Sequence, residues 1–115
     1  MKVTVLYTKA NAKGVRLMVS FGEGKPTLRD IIENYAMVYQ NDTFPERYTP
    51  DGIFAIFNGT NPEIPNPLAN EKGQKEIIEQ GVAHTSMSVG DIVQIDDTIY
   101  LCISTGWAIM KWEER

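Results

Sequence analysis

A chain of 115 residues, 43% hydrophobic and 23% charged, is long enough to bury one core and short for two ordinary domains. Its apolar runs, such as Ile53 to Phe57, are far shorter than the roughly 20 residues a bilayer-spanning helix needs. A net charge of −4 argues against strong phosphate binding, and one cysteine, Cys102, excludes an intrachain disulfide framework.

Val3, Val5 and Tyr7 alternate with Lys2, Thr4 and Thr8. Val15, Leu17, Val19 and Phe21 alternate with Arg16, Met18 and Ser20. Period two predicts a half-buried strand in each stretch. Asn11-Ala12-Lys13-Gly14 between them predicts a turn, so the two strands are expected to form an N-terminal antiparallel β-hairpin. Gly22 to Pro26 stops the second strand. Thr27 then reads as a helix cap, with Asp30 at the positive helix end. Leu28, Ile31, Ile32, Tyr35, Val38 and Tyr39 recur at helical spacing and predict one amphipathic helix ending near Tyr39.

Residues 40–52, with Pro45 and Pro50, read as a structured loop. The continuous apolar run Ile53-Phe54-Ala55-Ile56-Phe57 predicts a strand buried on both faces. Residues 58–67 hold three prolines and three asparagines, which exclude a helix or a central strand. Residues 68–80 predict a second short helix with Leu68, Ile77 and Ile78 inward. Ile92, Val93 and Ile95 predict a strand, and Ile99, Leu101 and Ile103, then Trp107, Ile109 and Lys111, alternate in two more. The short turns Asp96-Asp97 and Ser104-Thr105-Gly106 join them into an antiparallel meander. The fold class expected is α+β, a single domain over 1–115, with a partly open barrel compatible with the pattern.

Chemistry-bearing residues are few. No glycine-rich phosphate motif follows a strand. One His and one Cys leave a zinc set incomplete, and no cofactor is implied. Cys102 with His84 forms the single conceivable thiol–imidazole pair, but Cys102 sits mid-strand, where cysteine behaves as a small buried hydrophobe. In Ser86-Met87-Ser88-Val89-Gly90-Asp91, Gly90 supplies a positive φ, Asp91 accepts backbone N–H bonds, and Val89 plugs the core. His84, Ser86 and Ser88 are the groups in that region able to present donors beside a cleft. Asn58 and Asn61 in the Asn/Pro-rich segment, with Trp107 and Trp112 as aromatic anchors, complete the candidate binding residues. Asn41-Asp42-Thr43 and Asn58-Gly59-Thr60 match the glycosylation pattern but read as turn chemistry. Charge is uneven: residues 1–29 hold six bases and one acid, residues 30–115 five bases and fourteen acids.

The string His84-Thr85-Ser86-Met87-Ser88-Val89-Gly90-Asp91, then Tyr100 and Cys102, then Gly106-Trp107, resembles a set of short uncharacterised proteins. These are carried by bacteriophages and mobile elements of bacteria. Their pattern is Ser-x-Ser-Val-Gly-Asp, a strand with an aromatic residue, then Gly followed by Phe or Trp. Phe57 to Pro62 and Asn66-Pro67-Leu68 are similar to the loop preceding that motif. The resemblance covers about half of the chain and implies a setting rather than a mechanism.

Three functions follow as expectations. The first is a non-enzymatic accessory protein of a phage or mobile element. It would bind a macromolecule, a protein rather than nucleic acid, as an inhibitor of a host enzyme for instance. Its expected location is the cytoplasm of a bacterial host, with no membrane partner, because Met1 to Val5 lacks the apolar block of a signal peptide. The second is an RNA- or modified-base-binding module of the PUA or ASCH type, using Lys13 and Arg16 on the hairpin and the meander as barrel. The third is a small-molecule binder or enzyme built around His84, Ser86, Ser88 and Asn58.

Overall fold

A computed structural model describes residues 1–20 and 24–110, without the side chains of Lys13, Arg16, Leu17 and Ser20. In chain order the elements are β1 (Val3–Thr8), α1 (Lys13–Ser20), α2 (Leu28–Asn34), β2 (Tyr35–Asn41), α3 (Pro50–Phe57), α4 (Glu71–Glu79), β3 (Ile92–Ile95), β4 (Thr98–Ile103) and β5 (Gly106–Met110). The five strands form one open antiparallel sheet in the order β2-β1-β3-β4-β5. The fold is α+β, and its C-terminal part is the expected meander. Among the described residues β2 and β5 are the two sheet edges, so the strands do not close into a barrel.

Strand alternation sends successive side chains to opposite faces, and both faces are covered. Val3, Val5 and Tyr7 of β1 and Val93 of β3 pack with Ile53, Ile56 and Phe57 of α3 and Ile77 of α4. On the opposite face Ile92, Ile99, Leu101 and Met110 pack with Val15 and Val19 of α1 and Ile31 of α2. Each fully buried aliphatic or aromatic side chain contributes roughly 1.5–3 kcal/mol.

Three predicted elements differ. Residues 13–20 are helical, so β1 has no hairpin partner there; Phe21 lies outside the described residues. Val15 and Val19 are one helical turn apart and both buried, and Met18 packs beside them. Eight residues with apolar side chains at 15, 17, 18 and 19 satisfy period two and period 3.6 alike. The arbiter is the sheet: β1 already pairs with β2 on one side and β3 on the other. That leaves residues 13–20 no edge of β1 to join, and they cover a face instead.

The helix from Thr27 stops at Asn34, and Tyr35–Asn41 is a strand. Thr27 caps it as expected, in a reciprocal capping box with Asp30. Tyr35, Val38 and Tyr39 favour a pleated surface, and pairing with β1 overrides their helical spacing. A bulge between Val5 and Leu6 shifts the register, so Val5 faces Tyr39 and Leu6 faces Met37.

Residues 53–57 belong to helix α3 instead of a buried strand. Thr49 accepts from Gly52 N–H through its side chain, and Pro50 and Asp51 occupy the first turn. That start signal decides an apolar run whose periodicity is silent. Ile77 in α4 and Leu68 just before it are buried as expected, but Ile78 is 68% exposed.

Candidate functional site

The densest polar arrangement lies under the segment linking α4 to β3. Gly90 has φ 97°, a backbone state that favours glycine. It allows Gly90 N–H to reach Cys102 O at 2.8 Å while Cys102 N–H donates to Asp91 O at 2.9 Å. Two residues of one strand thus oppose one of the other, and this bulge turns the Asp91 side chain inward.

Asp91 is fully buried. A buried carboxylate is tolerated only when its lone pairs are met. Thr8 N–H donates to Oδ1 at 3.0 Å, and Ser88 N–H donates to Oδ2 at 2.8 Å. Ser88 Oγ lies 3.3 Å from Oδ2 and His84 Nε2 3.1 Å from it. The His84 ring stacks on Tyr7 at 4.5 Å between centroids, nearly parallel. Tyr7 O–H donates to Thr85 O at 3.0 Å, and Tyr35 O–H donates to Gly90 O.

The Asn/Pro-rich segment meets this one. Asn58 Nδ2 donates to Phe54 O at 2.9 Å and Met87 O at 3.2 Å. Asn66 Nδ2 donates to Phe57 O at 2.8 Å and Thr85 O at 3.0 Å, and its Oδ1 accepts from Leu68 N–H. Asn61 Oδ1 accepts from Glu63 N–H and Ile64 N–H, both at 2.8 Å, which is local turn chemistry. The outer side of residues 59–70 forms an open groove of about 610 Å³ walled by Asn61, Pro62, Pro65, Asn66 and Asn70. Its lining does not include His84, Ser86 or Ser88.

Of the residues singled out by sequence, Asn58, His84 and Ser88 therefore converge, Asn61 lines the groove, and Ser86 is exposed. Trp107 stands apart. Its indole N–H donates to Asp51 Oδ1 at 2.8 Å, and its ring meets Phe54 edge-on. It ties β5 to the start of α3, whereas Asn58 closes the end of that helix. Trp112 lies outside the described residues.

Asp91, Tyr7, Tyr35 and Asn66 were not legible as site residues. Asp91 reads from sequence as a turn residue, and its burial depends on a bulge that no local pattern encodes. Asn66 carried one available signal: an asparagine between two prolines has its side chain, not its neighbours' N–H groups, to offer the backbone.

Chemically the arrangement positions rather than activates. Ser88 directs its hydroxyl to the carboxylate that also holds His84, so the two serve one acceptor. Burial pushes the Cys102 thiol up to about 11, with Asp91 and Asp51 adding to it, opposite to what a nucleophile needs. Burial, then the Asp91 charge, raises the Tyr7 phenol well above its ordinary value. Among the described residues no three His, Cys, Asp or Glu side chains are placed to share a metal ion, and no helix is long and apolar enough to cross a membrane.

No family model matches the chain, and no solved structure matches it. An uncharacterized protein of Acanthamoeba polyphaga mimivirus is 49% identical to it over 49 residues, which are 43% of this chain. The chain spans about two fifths of that curated relative's length, 41%.

Proposed function

We propose that this chain is an accessory protein of a virus or mobile element that acts by binding a protein partner at the Asn/Pro-rich surface of residues 59–70. The observation that carries the reading is how that surface is held. Asn58 and Asn66 anchor its two ends to the backbone of residues 85–87 and to α3, and Asn61 fixes its first turn. Pro62 and Pro65 remove backbone freedom between those anchors, and Pro67 does so just after the second. A surface ordered before contact loses little conformational entropy on binding. The partial similarity to a viral protein supports the setting, and the bacteriophage resemblance of residues 84–107 points the same way. The excess of acids after residue 29 favours a basic protein face over nucleic acid.

The test is affinity capture with chemical cross-linking, comparing wild type with the double variant Asn61→Ala, Pro65→Ala. A partner cross-linked within residues 59–70 and lost in a double variant of near-normal melting temperature supports the reading. A partner retained by that variant, or cross-linked only elsewhere, sinks it.

A further inference from the structure

The sequence contains one asparagine followed by glycine, Asn58-Gly59, and the fold requires both residues. Gly59 has φ 72°, a left-handed state that residues with a Cβ rarely adopt. Its N–H donates to Ile56 O at 3.1 Å and ends α3. The Asn58 amide bridges Phe54 O at 2.9 Å and Met87 O at 3.2 Å. The first bond stays within the helix end; the second holds the segment that carries His84 and Ser88.

We propose that Asn58 is a deamidation site, and that its conversion irreversibly loosens the 84–88 segment by removing its tie at Met87. The Gly59 backbone nitrogen attacks Asn58 Cγ. A new C–N bond forms, the Cγ–Nδ2 bond breaks, and ammonia leaves with the proton from the Gly59 amide. Water then opens the cyclic imide. Opening at the side-chain carbonyl leaves aspartate at position 58. Opening at the main-chain carbonyl leaves isoaspartate, with one more methylene in the backbone. No oxidant or reductant takes part. Glycine makes the attack easy because its nitrogen carries no neighbouring Cβ to obstruct it.

The fold holds this reaction off. The Gly59 N–H is engaged with Ile56 O, and the Asn58 amide is engaged with two carbonyls. Asn58 has ψ 7°, which puts its own nitrogen, not Cβ, in the plane with the Gly59 nitrogen. The five-membered ring needs Cβ there. Attack therefore waits for the turn to open locally. Loss of ammonia makes the change irreversible, and the carboxylate left after hydrolysis only accepts hydrogen bonds. In place of a donor amide it would face the carbonyl oxygens of Phe54 and Met87, so the bond to Met87 O could not re-form and the segment would keep only its ties through Thr85, Met87 N–H and Asp91.

The folded 115-residue chain and a synthetic peptide of residues 54–62 are incubated side by side in mildly alkaline buffer. Conversion at Asn58 is followed by peptide mapping with isoaspartate-specific labelling. The folded chain should convert at least about tenfold more slowly than the peptide, and faster in urea below the unfolding transition. Hydrogen exchange over residues 84–88 is then compared among wild type, Asn58→Ser, Asn58→Asp and wild-type protein aged to conversion. The last two should exchange fastest, since they add repulsion to the loss of a donor. The aged sample keeps the test decisive should Asn58→Asp not fold. Conversion of the folded chain at the peptide's rate, or wild-type exchange over 84–88 in the converted protein, would overturn the proposal.

Discussion

Cys102 shows how one side chain registers its surroundings. It sits mid-strand in β4 opposite Trp107, buried, with its backbone bonded to Gly90 and Asp91. Removal from water penalises the thiolate first, and the charges of Asp91 and Asp51 penalise it further. The folded chain thus holds the thiol proton up to about pH 11, against about 9 in the unfolded chain. A group whose value rises on folding stabilises the fold below its unfolded value, and that contribution is lost as pH climbs to the folded one. Stability from urea melts should therefore fall between pH 9 and pH 11, and Cys102→Ala should fall less over the same window. Equal slopes for the two proteins would refute this. At about pH 8 the thiol should react with a disulfide reagent about 100-fold more slowly in the folded chain than in denaturant.

Among the elements, α4 depends on a residue that ordinary helix preference disfavours. Gly73 lies in its first turn, where the helix crosses the end of the Asn/Pro-rich segment. A Cβ there would come within 2.7 Å of Pro67 O and 2.9 Å of Leu68 Cα, both backbone atoms that cannot swing away. Ala at an exposed helical position gains about 1 kcal/mol over Gly. Here the collision should outweigh it, and Gly73→Ala should lower stability by about 1–3 kcal/mol by urea denaturation. A variant more stable than wild type would show that the helix shifts freely. Intrinsic preference alone marks this glycine as weakening a helix, when it permits a close approach. The same limit applies to α3: its start, Thr49-Pro50-Asp51, falls in a stretch whose prolines and polar groups read as a loop, and the apolar run after it carries no period.

For the molecule as a whole, Asp91 joins parts that are distant in sequence. Its carboxylate holds the end of β1 through Thr8 and the segment before β3 through Ser88 and His84. Asp91→Ala would leave the buried Thr8 N–H and the Ser88 N–H without that acceptor, at a cost of about 3–5 kcal/mol. The urea midpoint should drop with the slope unchanged. A loss below about 1 kcal/mol would mean that water replaces the carboxylate there. The site was half legible for this reason. His84 and Ser88 announced themselves as donors, but the acceptor that gathers them was hidden in a turn motif.

Sequence alone determined the meander, because its strands are local in the chain and two short turns set their pairing. It also determined the Thr27 cap, the loop character of residues 58–67 and the α+β class. Tertiary structure decided residues 13–20, 35–41 and 53–57. In the first two the apolar spacing suits helix and strand about equally, and the free energy of choosing comes from contacts far along the chain. Once β2 and β3 flank β1, residues 13–20 have no hairpin edge of β1 to join and cover a face, and Tyr35–Asn41 pairs rather than extending a helix. The same long-range pairing places Asp91 beneath His84, where neither residue's neighbours in sequence would have put it.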